Sequence, residues 1–164
     1  MERLVYASLA WFAIPRHGLA SVFLIAFVSA TLLPLGSEPA VFGFVKLNPD
    51  KFWITVVVAT LGNTLGGAVD YWMGFGAKSV VAPKREIQYL KWFKRLGPKA
   101  LVMAWLPVVG DPLCAVAGWL RLPFWPSVFW MAVGKFTRYS LMTALLLWVP
   151  NAWWVEMLKP IAGL

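Results

Sequence analysis

The chain carries one acidic, proline-flanked motif twice. The first copy is Leu33-Pro34-Leu35-Gly36-Ser37-Glu38-Pro39 and the second is Leu106-Pro107-Val108-Val109-Gly110-Asp111-Pro112, with matched residues 73 positions apart. Proline interrupts a helix, and a carboxylate is costly to bury in apolar sequence. Broken backbone at membrane depth is found where protein or a water-filled cavity covers it, and paired breaks are typical of a transporter's binding site. The motif therefore predicts two re-entrant helical hairpins that break at Pro34, Pro39, Pro107, Gly110 and Pro112.

The composition is that of a membrane protein. Hydrophobic residues make up 60% of the 164 residues, charged residues make up 13%, and there are 11 tryptophans, which is far more apolar than an ordinary soluble domain. The length fits a single membrane domain covering 1–164. The sequence has no GxxxxGK motif, no GxGxxG motif and no histidine or cysteine cluster. We therefore expect neither an enzyme nor a cofactor or metal site.

Each motif is followed by a segment long enough to cross a bilayer. Phe52–Ala77 follows the first motif and Phe124–Val149 follows the second, whereas a crossing needs about 20 residues. The chain therefore divides into repeat one, about 18–77, and repeat two, about 100–149. Each repeat is predicted to be a re-entrant hairpin plus a spanning helix, in an all-α, multi-pass membrane protein.

A basic connector joins the two repeats. Residues 78–99 contain seven of the fifteen lysines and arginines and one acid, Glu86, so the positive-inside rule places them in the cytoplasm. Their cations alternate with aromatic and aliphatic residues, which predicts an amphipathic helix on anionic lipid headgroups between Lys78 and Lys99. The position next to a membrane favours lipid over nucleic acid. With this connector cytoplasmic, the spanning helices run in opposite directions and the repeats are inverted.

Five charges lie within the predicted membrane segments, namely Glu38, Asp70, Asp111, Lys135 and Arg138. Each would cost roughly 2.5–3.5 kcal/mol at the centre of a lone helix, so we expect them to converge. Asn63 and Asp70 are seven residues apart and share a helix face. We interpret these six residues as a substrate or proton site. The simpler interpretation is an ion-pair network that only locks the halves together.

Four motifs resemble one family of bacterial inner-membrane proteins. They are SATLLPLGSE, GNTLGG, WLPVVGDPLCAVAGWLR and GKFTRY, and with the basic connector they resemble the DedA superfamily, also called VTT or SNARE-associated proteins, in its short YqaA-type branch. The resemblance implies inverted re-entrant hairpins and a flippase-like or scramblase-like role. The lipid would be a polyprenyl phosphate or a phospholipid, and proton coupling would use the membrane acids.

The chain departs from the wider family at two positions. Typical members carry arginines three residues on either side of the second hairpin's proline, where this chain has Ala104 and Gly110. The cations that bind a lipid phosphate would therefore have to be Arg138 and Lys135. The sequence also leaves open a substrate that is not a phosphate lipid.

Two other classes of function also stay open. One is a noncatalytic assembly or envelope-stress factor of the membrane. The other is an intramembrane enzyme in which Glu38 and Asp111 share a proton and act as acid and base. The sequence does not decide whether the chain forms a homo-oligomer.

Overall fold

The chain is helical throughout the part that the computed structural model describes, residues 15–31, 36–80, 91–106 and 109–148. The α-helices are α1 (Pro15–Thr31), α2 (Glu38–Leu47), α3 (Phe52–Val80), α4 (Lys91–Leu96), α5 (Gly110–Trp119) and α6 (Phe124–Trp148), and two 3-10 helices cover Pro49–Lys51 and Gly97–Trp105. Two long helices, α3 and α6, thus each follow a ten-residue helix that begins at one of the acidic motifs.

One helical segment in the described chain is both long and apolar enough to cross a membrane. It covers the 29 residues Pro49–Ala77 and has a mean hydropathy of 1.5. The first limb of the first hairpin is a shorter apolar helix, His17–Thr31. At 25 residues, α6 has sufficient length, but it carries Lys135 and Arg138 at its centre, and its crossing stays a prediction.

The two hairpin motifs break the chain slightly earlier than the sequence suggested. Pro39 and Pro112 lie inside the first turns of α2 and α5, and Gly110 is the first residue of α5. Because the first N–H groups of a helix have no partner within the helix, proline is tolerated there. The assignment of these three residues to the breaks is therefore corrected: the described parts of the breaks are 36–37 and Leu106 with Val109. The other two break residues, Pro34 and Pro107, lie outside the described residues.

Close backbone contacts hold the helices together in a duplicated pattern. A side chain at Gly62 or Gly66 of α3 would meet the α1 backbone, with its Cβ 2.5 Å from the Phe23 carbonyl oxygen or 2.6 Å from that of Phe27. In the second half, a Cβ at Gly134 of α6 would lie 2.6 Å from the Val102 carbonyl oxygen in the 3-10 helix. The first limb of each hairpin thus packs on the long helix of its own half. The second limbs cross over: α5 packs on α3 and α2 packs on α6.

The two long helices run antiparallel. Trp53, near the start of α3, stacks on Phe136 with ring centroids 6.4 Å apart. Trp72, further along α3, contacts Phe124 in the first turn of α6, with centroids 5.4 Å apart. Residues with higher numbers in α3 therefore contact residues with lower numbers in α6.

The second hairpin and the connector differ from the sequence predictions. The stretch 97–105 forms a 3-10 helix rather than an α-helix. Its backbone packs closely against Gly110 and Gly134, because neither glycine has a side chain that would separate the segments. The described part of the connector contains the six-residue α4, in which Phe93 is fully buried with Leu101 and Met131. The sequence predicted an amphipathic helix on lipid headgroups in this region, whereas Phe93 packs into the core of the protein. Residues 81–90 lie outside the described chain.

Two apolar clusters form the interior, one for each hairpin. The first contains Val22, Ala26, Val41, Phe44, Val56, Ala59 and Tyr139, and the second contains Tyr71, Phe93, Ala100, Leu101, Leu113, Cys114, Ala117 and Met131. Both long helices contribute to both clusters. The middle of α6 between Met131 and Tyr139, and the middle of α3 between Ala59 and Tyr71, therefore lie at the junction of the two clusters.

Candidate functional site

The cations of the site come from one face of α6. Lys135 and Arg138 are three residues apart, so they lie on the same side of the helix, and both are buried. The Lys135 side chain is 0% exposed. Its Nζ donates to Asp111 Oδ1 at 3.0 Å and to the Asn63 carbonyl oxygen at 2.6 Å. Lys135 therefore holds the first turn of α5 and the middle of α3 together.

Arg138 holds the first hairpin in the same way. Its Nε donates to Glu38 Oε1 at 2.5 Å, and its Nη2 also contacts that oxygen. The Arg138 side chain is 5% exposed and that of Glu38 is 16% exposed. The remaining nitrogen, Nη1, is buried and has no hydrogen-bond partner among the described residues. The Nε and Nη2 atoms of the guanidinium thus contact Glu38, whereas the N–H groups of Nη1 have no acceptor among the described residues.

The two acids occupy equivalent places in the two hairpins. Glu38 is the first residue of α2 and Asp111 is the second residue of α5. Negative charge in the first turn interacts favourably with the helix dipole. The Asp111 side chain is 20% exposed, slightly more than that of Glu38. Both acids therefore combine a buried cationic partner with limited access from outside the protein.

The third acid lies at the edge of this network. Asp70 is half-buried and within electrostatic range of Lys135 and Asp111, but no described residue forms an ion pair with it. One turn earlier, a side chain at Gly67 would have its Cβ 2.9 Å from Lys135 Nζ. The absence of a side chain at Gly67 gives the lysine its space. Asp70 is a neighbour of the Lys135 pair rather than a third partner in it.

Asn63 contributes its backbone carbonyl group to the site, whereas its side chain contacts α1. Its Nδ2 donates to the Ala26 carbonyl oxygen of α1 at 2.9 Å, while its own carbonyl oxygen accepts from Lys135. Its Oδ1 is buried and unpartnered within the described chain. The sequence placed Asn63 and Asp70 on one functional face, but the Asn63 amide group faces α1 because the glycines beside it bring α1 close.

The structure also contains contacts that the sequence analysis missed. The hydroxyl groups of Ser37 and Tyr139 are 2.5 Å apart in the interior, so two adjacent residues of α6, Arg138 and Tyr139, hold two adjacent residues of the first hairpin, Ser37 and Glu38. A second contact joins the two halves, because the Tyr71 hydroxyl of α3 donates to the Leu122 carbonyl oxygen that follows α5. The sequence signal was a tyrosine following a charged residue on both long helices, Asp70-Tyr71 and Arg138-Tyr139.

The positions at which typical members of the wider family carry arginines are tightly packed here. Ala104 is fully buried, and a Cβ on Gly110 would lie 2.5 Å from the Ala104 carbonyl oxygen. A side chain at Gly110 would therefore have to displace the backbone at Ala104. In this chain the buried cations near the acids come from α6 instead.

Comparisons with known proteins identify the family of the chain. The family model of the VTT domain matches residues 4–146. The inner membrane protein YqaA of Escherichia coli is 36% identical over 126 residues, covering 77% of this chain and 89% of the relative. YqaA of Shigella flexneri gives the same values, and an uncharacterized protein of Haemophilus influenzae is 37% identical, covering 75% of this chain and 83% of its own. No solved structure matches the chain. The chain therefore belongs to the VTT-domain family, the DedA superfamily, and is an inner membrane protein of that family.

Proposed function

We propose that the chain moves an amphipathic lipid between the leaflets of the inner membrane, as a flippase-like or scramblase-like transporter. The observation that carries the proposal is the pair of ion pairs, Glu38 with Arg138 and Asp111 with Lys135, that hold both hairpins to one face of α6. Charges at the junction of two apolar clusters need such pairing. Both acids nonetheless keep some exposure, so a polar headgroup can reach them while the lipid tails stay in the bilayer.

The packing supports inverted repeats with the site between them. Asn63 and Lys135 are equivalent positions in the two long helices when the repeats are shifted by 72 residues, and they contact each other. In an assembly with two-fold symmetry, a residue meets its own equivalent only next to the symmetry axis. Because α3 and α6 also run antiparallel, the proposed axis passes between them near Asn63 and Lys135, which is where a transporter with inverted repeats has its site.

Protons are the proposed coupling ion. A proton on Glu38 removes its ion pair with Arg138, and a proton on Asp111 removes its ion pair with Lys135. Because these pairs join the hairpins to α6, proton binding weakens hairpin docking and frees a cation at the same time. The freed cation is then available to the headgroup of the lipid, and deprotonation restores the docked state.

A transport assay tests the role of the acids. Glu38→Gln and Asp111→Asn preserve shape and remove charge, so purified variants in liposomes should exchange labelled lipid between leaflets more slowly than the parent. We expect the rate to fall by about tenfold or more, because the neutral side chains cannot lose a proton and so cannot restore the docked, ion-paired state, in which a hydrogen bond to a charged group contributes roughly 1.5–3 kcal/mol. A fluorescent phospholipid and a labelled polyprenyl phosphate would be tested separately over a range of pH.

Asp50→Asn is the matched control, because Asp50 is an exposed acid paired with Lys51 outside the site. It should transport like the parent. If the parent speeds the exchange of neither lipid at any pH, or if the Gln and Asn variants transport as well as the parent, the transport proposal is wrong. The assembly-factor function would then be favoured over transport.

The proposed topology gives a second prediction. In a Cys114→Ala background, which removes the single, buried cysteine, Asp50→Cys should react with a membrane-impermeant thiol reagent from the outer face. Lys99→Cys should react from the cytoplasmic face, because Lys99 is the last residue of the basic connector, which the positive-inside rule places in the cytoplasm. Labelling of both sites from the same face would contradict the inverted repeats.

A further inference from the structure

Arg121 occupies a position at which helices usually place glycine. The α5 helix ends in a Schellman motif, in which the Leu122 N–H donates to the Ala117 carbonyl oxygen at 3.1 Å and the Arg121 N–H donates to that of Gly118 at 2.9 Å. Arg121 is the residue with left-handed backbone in this motif, with φ 55°, and in the described chain no other residue except glycine has a positive φ. Glycine adopts this conformation without strain. The arginine side chain must therefore provide something that glycine cannot.

The Arg121 side chain lies exposed among aromatic residues. Its guanidinium carbon is 4.9 Å from the centre of the Phe75 ring in α3. Close by, the Phe124 ring contacts Trp72 and Trp125, with centroids 5.4 Å and 5.3 Å apart. Both tryptophans are largely exposed, Trp72 by 55% and Trp125 by 77%. The exposed cation thus contacts Phe75, and ring contacts connect Phe75 to Trp72, at 5.4 Å, and Trp72 through Phe124 to Trp125, where α3 approaches its end and α6 begins.

This arrangement is typical of the interface between bilayer and water. Tryptophan is enriched at the level of lipid headgroups because its ring is apolar and its N–H is polar. The planar guanidinium has a fork of donors that matches a phosphate and can stack on an aromatic ring at the same time. Phe75 lies five residues before the end of α3, which leads into the basic connector. The site therefore belongs to the leaflet on the connector's side.

We propose that Arg121, Trp72 and Trp125 form an interfacial site for the phosphate group of an anionic phospholipid. Phe75 supports the guanidinium through its cation–π contact, and in this proposal the tryptophans contact the glycerol and upper acyl region of the same lipid. The site lies outside the network of Lys135 and Arg138 and does not depend on the transport proposal. The bound lipid would fix the turn between α5 and α6, whose Leu122 carbonyl oxygen already accepts from Tyr71.

Lipid-dependent thermal stability tests the proposal. The full-length parent in neutral detergent should unfold at a higher temperature when phosphatidylglycerol is added, and less so with phosphatidylcholine. In Arg121→Gly the preference for phosphatidylglycerol should disappear, with apparent affinity weaker by about tenfold or more, because a charge-assisted hydrogen bond is lost. Without lipid, the same variant should be as stable as the parent or more stable, because glycine relieves the left-handed strain.

Two further variants sharpen the result. Arg121→Lys keeps the charge and loses the fork of donors, so its response should lie between those of the parent and Arg121→Gly. Lys46→Ala removes another exposed cation that lies over an aromatic ring, 5.3 Å from the centre of Phe42 and outside the basic connector, and should respond like the parent. The proposal is overturned if Arg121→Gly keeps the full response, if Lys46→Ala loses it equally, or if soluble inorganic phosphate stabilises the parent as well as the lipid does. It is also overturned if Arg121→Gly is markedly less stable without lipid, which would assign the arginine to holding the turn.

Discussion

Replacing Arg138 with leucine is expected to destabilise the protein by about 3–5 kcal/mol, the usual effect of removing one partner from a buried ion pair. The variant leaves the Glu38 carboxylate in the first turn of α2 with its cation gone. It also removes a buried guanidinium group, two of whose nitrogens contact Glu38. Thermal or denaturant unfolding in detergent, with size-exclusion chromatography to follow monodispersity, would measure the loss.

The double variant Glu38→Leu with Arg138→Leu should recover much of that loss, because no unpaired charge remains. Lys51→Leu is the matched control: it removes the partner of Asp50 in an exposed pair, with side chains 41% and 69% exposed. Such exposed pairs contribute about 0–1 kcal/mol. If Arg138→Leu costs no more than Lys51→Leu, or if the double variant is as unstable as Arg138→Leu alone, the ion pair does not hold the first hairpin.

The sequence could predict the charged site because burying charge has a large and general cost. Glu38 and Asp111 recur in one motif, and apolar sequence surrounds them, so some cation had to lie nearby. The assignment of partners could not be predicted in the same way. Arg138 pairs with Glu38 and Lys135 pairs with Asp111 because α2 and α5 reach α6 one turn apart, and this spacing depends on how three helices pack.

Details of local structure were harder to predict where tertiary contacts override local preference. The repeat motif suggested that Pro39 and Pro112 break the chain, but in a helix a proline is also favourable in the first turn. Phe93 has the period of a surface helix, yet it is buried against Leu101. No residue pattern distinguishes these outcomes, because each depends on which backbone the segment meets. The hydroxyl contact between Ser37 and Tyr139 belongs to the same class, since 102 residues separate the partners.

Gly118→Ala is expected to destabilise the protein by about 3 kcal/mol, at the upper end of the usual cost of overpacking. The added Cβ would overlap the Tyr71 carbonyl oxygen of α3 and also approach the Phe75 amide nitrogen at 3.0 Å. Both are backbone atoms within a long helix, so neither can rotate away as a flexible side chain would. The contact between α5 and α3 would have to widen. The position of Asp111 relative to Lys135 would then change as well.

Gly43→Ala is the matched control, since Gly43 is also inside a helix and a Cβ there meets nothing within 4 Å. This variant should stabilise the protein by roughly 0.5–1 kcal/mol, because alanine loses less backbone entropy in a helix. The two glycine variants therefore have opposite expected signs, which unfolding in detergent can measure directly. Equal effects of the two variants would mean that α5 does not approach α3 at Gly118, and the second hairpin would then have to dock elsewhere.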